Sequence, residues 1–234
     1  SVHVGEAAGD VADVVYARSG LLTALVIDGQ LERAEQVIAQ AADGDPGARS
    51  IAADLDLRRY GFVAAVLGRG PTDDVVADLH GFLDRALTPL IRGQMLLIST
   101  VAHAWRGEAT DAHRHFLTRP RSSRVDPTAA AAWGWAAAEM HWHDGRLREV
   151  GPAADWARSA GGGWFPTAVV ADVLARWAQL ERDEPVDGPV SSPLGGAAGA
   201  SEETAALVAL QAESFGEAEA GFLEAAHRWS TANV

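Results

Sequence analysis

Apolar residues recur along this chain at three- and four-residue spacing nearly everywhere, with polar residues between them. Leu21, Leu22, Leu25 and Val26 make one such set, and Leu31, Ala34, Val37, Ile38 and Ala41 make the next. Strict alternation with β-branched residues, the mark of a half-buried strand, is nearly absent. The pattern predicts helices at 8–28, 31–43, 48–68, 73–86, 89–106, 109–118, 127–143, 147–160, 166–182, 202–213 and 215–230. The breaks "GDPG", "GRGP", "TRPRSSRVDP", "GGGWFP" and "DEPVDGPVSSPLGG" supply the Gly and Pro that end helices. Only the last is long enough to resemble a linker. Helices of this length joined by short turns predict an all-α fold of antiparallel hairpins.

The hairpins repeat. Gly29 lies in the first turn, and the helix after it carries Ala34 and, one turn on, Ile38. Gly70 is followed at the same offsets by Val75 and Leu79, Gly107 by Ala112 and Phe116, and Gly145 by Val150 and Ala154. Successive turn glycines stand 41, 37 and 38 residues apart. The step from Ala218 to Phe222 is a further copy without its glycine. Glycine permits the reversal, a small residue lets the second helix pack closely, and a larger one fills the gap beyond. An irregular all-α domain with Ala-rich helices is the alternative.

Composition narrows the function. A length of 234 residues suffices for a large core, and 48% hydrophobic with 22% charged residues is ordinary for a globular protein. A net charge of −13 argues against gripping a nucleic-acid backbone. The absence of cysteine removes disulfides, thiolate metal sites and cysteine nucleophiles. Every basic side chain is Arg, which with abundant Ala, Gly and Val suggests a high-GC bacterial genome. No apolar run suggests a membrane span, and the acidic start "SVHVGEAAGD" does not resemble a signal peptide, so a cytoplasmic location is expected. The start without Met and the ending "AAHRWSTANV" lead us to expect a piece of a longer protein.

The succession of Gly29, Ala34, Ile38, Ala41 and Pro46 resembles the second half of a tetratricopeptide repeat. The other copies lack most closing prolines, and their period exceeds the family's. The resemblance covers residues 8–182 best, with looser hairpins at 190–234, and implies a single domain over 1–234 wound as a right-handed tetratricopeptide-like superhelix. In texture, the Arg-only, Ala-rich hairpins and "ALVALQAESFGEAEAGFLEAAHRW" look like the helical repeat region of large actinobacterial LuxR-type (MalT-like) transcriptional regulators. That likeness implies a sensor or interaction segment between a flanking ATPase and a flanking DNA-binding domain. Neither activity is expected in these residues, because a chain without Lys has no G-x-x-x-x-G-K-[ST] loop.

In such a superhelix the first helix of each hairpin lines the concave groove. Carrying the family's inward-facing positions onto this chain selects Tyr60, then Leu97, Val101 and Trp105, then Trp135, Glu139, Trp142 and His143, and finally Trp177 and Glu181. Six of the eight Trp lie between 133 and 177, so this is where aromatic surface for a peptide, protein or small-molecule effector is expected. The same tryptophans also suit gap-filling between Ala-rich helices.

The histidines of "HWHD" (141–144) and "DAHRH" (111–115), with His103, raise metal binding as a question. A His-x-His pair on a helix points its rings about 200° apart, and no H-E-x-x-H spacing occurs. We therefore expect packing and capping histidines, with no metal, no cofactor and no catalytic residue. "RPRSSR" (119–124) reads as a solvated basic loop, and "GAAGAS" (196–201) follows no strand that would make it a phosphate loop. The expectation is a non-enzymatic binding domain of a transcriptional regulator. A free-standing interaction scaffold is the alternative, and an all-α enzyme using Glu139 and His143 is a third reading.

Overall fold

The structure is a computed structural model that describes residues 11–43, 51–85, 87–120, 127–161, 166–188 and 200–232. Among these residues it contains eleven α-helices and no strand. They are α1 (Val11–Ile27), α2 (Leu31–Ala42), α3 (Ile51–Arg69), α4 (Asp73–Leu83), α5 (Pro89–Trp105), α6 (Ala109–Leu117), α7 (Pro127–His143), α8 (Leu147–Gly161), α9 (Pro166–Glu181), α10 (Ala200–Gln211) and α11 (Phe215–Ala232). Each end falls within one helical turn of the boundary that apolar spacing predicts. The predicted break at 44–47, most of those at 118–127, 161–166 and 183–196, and the basic patch beyond 120 lie outside the described residues.

Helix ends are set by backbone geometry. Gly29, Gly70, Gly107 and Gly145 all have positive φ, between 69° and 83°. Asp183 and Glu213 take the same conformation at 53° and 59°, and are the non-glycine residues that do so among those described. At Gly29 the amide of Gly29 donates to the Val26 carbonyl (3.2 Å), and that of Gln30 reaches back to Leu25 (2.8 Å). This pair of bonds satisfies carbonyls that the end of a helix would otherwise leave open. It recurs at Gly107, Gly145, Asp183 and Glu213. Gly70 is followed by Pro71, which has no amide to donate the second bond. The same turn thus recurs without glycine at Asp183, 38 residues after Gly145, and at Glu213, 30 residues further on.

Packing follows the same rhythm. The odd helices form a row in which α1 touches α3, α3 touches α5, α5 touches α7 and α7 touches α9. Each of α2, α4, α6 and α8 packs on the odd helices before and after it, and α9, α10 and α11 follow in succession. The residue five places after the turn is buried in five of the six copies, Ala34, Val75, Ala112, Val150 and Ala218, whereas Gly188, five places after Asp183, is exposed. The main core runs from Leu55 to Ala178 and includes Trp133, which is 1% exposed. Phe116 sets its ring edge-on to Trp133 at 5.7 Å.

The seam between α7 and α8 is the tightest. Ala136, Ala137 and Ala138 of α7 and Ala153, Ala154 and Ala157 of α8 bury no bulky side chain there, so the backbones come close. A Cβ added at Gly134 would stand 2.5 Å from the amide nitrogen of Ala157, which is backbone and cannot turn aside. Gly134→Ala is therefore expected to lower stability by about 1–3 kcal/mol through overpacking. Gly81→Ala, on an exposed part of α4 with open space around it, should instead gain about 0.5–1 kcal/mol of helix stability. Urea unfolding of the two variants checks this pair of opposite signs.

Candidate functional site

α5 ends at Trp105, two residues before Gly107, and α7 ends at His143, in the same place before Gly145. One turn back from His143 is Glu139, and one further turn back is Trp135, so the three share one face of α7. Because α5 and α7 are neighbours, Trp105 meets this face. The Glu139 carboxylate accepts from both indoles, from Trp105 Nε1–H to Oε2 at 3.0 Å and from Trp135 Nε1–H to Oε1 at 2.8 Å. His143 Nε2 stands 3.7 Å from Oε2, close enough to add an ion pair when the ring is protonated.

Burial divides this group. Trp135 and Glu139 are each 5% exposed, and Leu97 and Val101 of α5 are buried in the main core. Trp105 and Trp142 are half-buried against that core, while the His143 side chain is 35% exposed. The accessible part is thus an edge of two indoles and one imidazole, backed by a carboxylate whose oxygens already accept bonds. A buried carboxylate that receives two N–H bonds is a fixed acceptor that orients the rings around it.

The remaining expected residues lie elsewhere. Tyr60 of α3 is half-buried, its hydroxyl hydrogen-bonded to Thr23 of α1 and its ring 4.3 Å below the Arg59 guanidinium. Trp177 of α9 turns toward the C-terminal helices, stacks on Phe222 at 5.8 Å and donates to Glu203 Oε1 at 2.7 Å. Glu181, at the end of α9, is exposed. Of the eight residues, Trp105, Trp135, Glu139 and His143 are joined by direct contacts, Trp142 lies three residues after Glu139 on α7 against the main core, and Tyr60, Trp177 and Glu181 lie on other helices. Glu203, which partners Trp177, was missed because it sits beyond the break at 183–196, where the repeat offset changes.

An open depression of about 510 Å³ is lined by Ala109, Thr110, His113, Arg114, Leu117 and Asp144, none of them among the eight. At its rim Arg146 Nη2 is 2.7 Å from both His113 Nε2 and His141 Nδ1. A guanidinium only donates, so both rings accept and are neutral. His113 Nδ1–H in turn donates to the Ala109 carbonyl at 2.9 Å. Burial, and then the Arg146 charge, hold His141 below its ordinary value.

Compared with protein-family models, curated proteins and solved structures, the chain matches none at significant similarity. Among the described residues no helix is long and apolar enough to cross a membrane.

Two outcomes test this arrangement. Glu139→Ala leaves two buried indole donors without an acceptor and is expected to cost about 2–4 kcal/mol, and Glu139→Gln less, because one oxygen remains. Urea unfolding followed by tryptophan emission reads both. The second outcome concerns pH. A lowered folded-state value means that the unfolded chain takes up the proton on His141 first as the pH falls below about 6.5. Its contribution is therefore present at neutral pH and is lost as the pH falls through the folded value. His141→Asn should flatten that part of the curve of urea midpoint against pH.

Proposed function

We propose that the chain is a non-enzymatic, tetratricopeptide-like binding domain: antiparallel helical hairpins stacked in a right-handed superhelix. The observation that carries this reading is the recurrence of one left-handed turn at 29, 70, 107, 145, 183 and 213, with α1, α3, α5, α7 and α9 packed one on the next. Stacked units of this kind present a continuous face on which one residue per unit meets a partner.

The partner is a peptide, a protein segment or a small effector that lies along the edge of Trp105, Trp142 and His143. Indole surface gives it apolar area, and the imidazole gives direction. In the setting that the LuxR-type resemblance implies, occupancy favours one curvature of the array and so biases a flanking ATPase and a flanking DNA-binding domain by population shift. Glu139 supports a binding role over a catalytic one, because its two oxygens already accept indole N–H bonds.

A thermal-shift screen of metabolites and short peptides against the wild type and Trp142→Ala tests the face. True ligands are expected to stabilise the wild type and to lose most of that effect in the variant. Ligands that stabilise both proteins equally would count against this edge. The coding sequence on either side tests the regulator setting: an ATPase and a helix-turn-helix support it, and their absence leaves a free-standing scaffold.

A further inference from the structure

Three imidazoles from three consecutive helices converge in the interior. His80 lies in the last turn of α4, His103 in the last turn of α5 and His115 in the last turn of α6. His103 is 2% exposed and His115 9%, while His80 is half-buried and opens the cluster toward the surface. Ring centroids are 5.1 Å apart for His80–His103 and His103–His115, and 5.5 Å for His80–His115. One nitrogen from each ring falls within 4.8 Å of the other two.

The outer nitrogens of two rings are already held. Glu108 Oε2 lies 2.5 Å from His103 Nδ1, and Ser99 Oγ lies 2.6 Å from His115 Nδ1. That leaves the Nε2 atoms of both rings facing the cluster, and His80 Nε2 is 2.9 Å from His103 Nε2. Nitrogens bound tetrahedrally to zinc at about 2.0–2.1 Å stand ~3.3 Å apart, so His80 and His103 need to part by only a few tenths of an ångström, while the His115 nitrogen, within 4.8 Å of both, closes to the same spacing when an ion is seated. A carboxylate on the far nitrogen is the usual device for orienting a ligating histidine. Asp111 stands with Glu108 beside His103, which places negative charge next to a bound cation.

Packing alone gives no reason for these residues. The place four residues before the turn holds the buried Leu25 and Val66 in earlier units, a buried His103 in this one and a half-buried His141 in the next. Mutually facing imidazoles are polar groups taken out of water, which core aliphatics would avoid.

We propose that His80, His103 and His115 form a three-histidine site for a divalent transition-metal ion, zinc foremost. Glu108 and Ser99 position His103 and His115 from outside, and water takes the fourth tetrahedral place on the His80 side. Imidazole donors select zinc and its neighbours over calcium or magnesium. The ion ties α4, α5 and α6 together, and the site stands independently of the Trp105 edge.

The test uses the full chain after chelator treatment. Titration with Zn²⁺ is expected to reach one equivalent and to raise Tm, and Co²⁺ is expected to give the intense visible bands of a tetrahedral site. His80→Gln should abolish stoichiometric binding while helical circular dichroism stays intact. Glu108→Gln should weaken binding about 10–100-fold, and His113→Gln should leave it unchanged. The proposal is overturned if the wild type takes up no stoichiometric Zn²⁺, if binding survives His80→Gln, or if His113→Gln removes it. Should His80→Gln lose helix content, the wild-type cobalt spectrum decides, and the lack of tetrahedral bands overturns the site.

Discussion

One backbone device governs this molecule: a residue with positive φ ends a helix, and where its follower has an amide, two reaching-back amides satisfy the last carbonyls. Six described helix ends turn at such a residue, and the spacing of these turns sets where successive helices begin. Once the spacing is nearly constant, equivalent residues of successive units come into register. Buried residues five places after five of the six turns follow from that register, as do Trp105, His143 and Glu181, each two places before its turn.

Within this frame, α7 differs from its neighbours. Its alanines and Gly134 draw α8 in until backbone meets backbone, and such a seam buries little side-chain area. Trp133 and Trp135 supply the missing bulk on either side of it. An indole buried for its area still brings an N–H, and that donor requires an acceptor. Glu139 answers Trp135 on its own helix and Trp105 on the next, so one carboxylate couples core filling to the half-exposed edge.

Much of the fold was legible in the sequence because apolar period and turn glycines are local signals. Gly29, Gly70, Gly107 and Gly145 announce themselves, since a left-handed residue without a Cβ is the least costly choice. Asp183 and Glu213 do the same work without any mark in their residue type, so the breaks there were read from the flanking helices and the Ala218–Phe222 step, while the left-handed residue itself was not. The pairing of Trp135 with Glu139 follows from helical spacing, whereas that of Trp105 with Glu139 requires knowing that α5 lies against α7. The histidines show the limit most clearly. Chelating motifs are recognised by spacing along one helix, and by that rule "HWHD" and "DAHRH" were set aside. The cluster takes one ring from each of three helices, and His80 stands in a stretch with no other histidine nearby.

The left-handed turns without glycine also bear on how the array comes apart. A side chain in that conformation meets its own backbone, so Asp183 and Glu213 hold a strain of roughly 1–2 kcal/mol each that the glycine turns lack. Both lie toward the C-terminal end, where α10 and α11 contact the rest of the described structure mainly through α9. The α10–α11 pair thus packs on the described helices from one side only, and its connections are the strained ones. Backbone amides of α10 and α11 therefore open to solvent at lower free energy than those of α5 or α7, and the last helix pair is a separable cooperative unit that melts first.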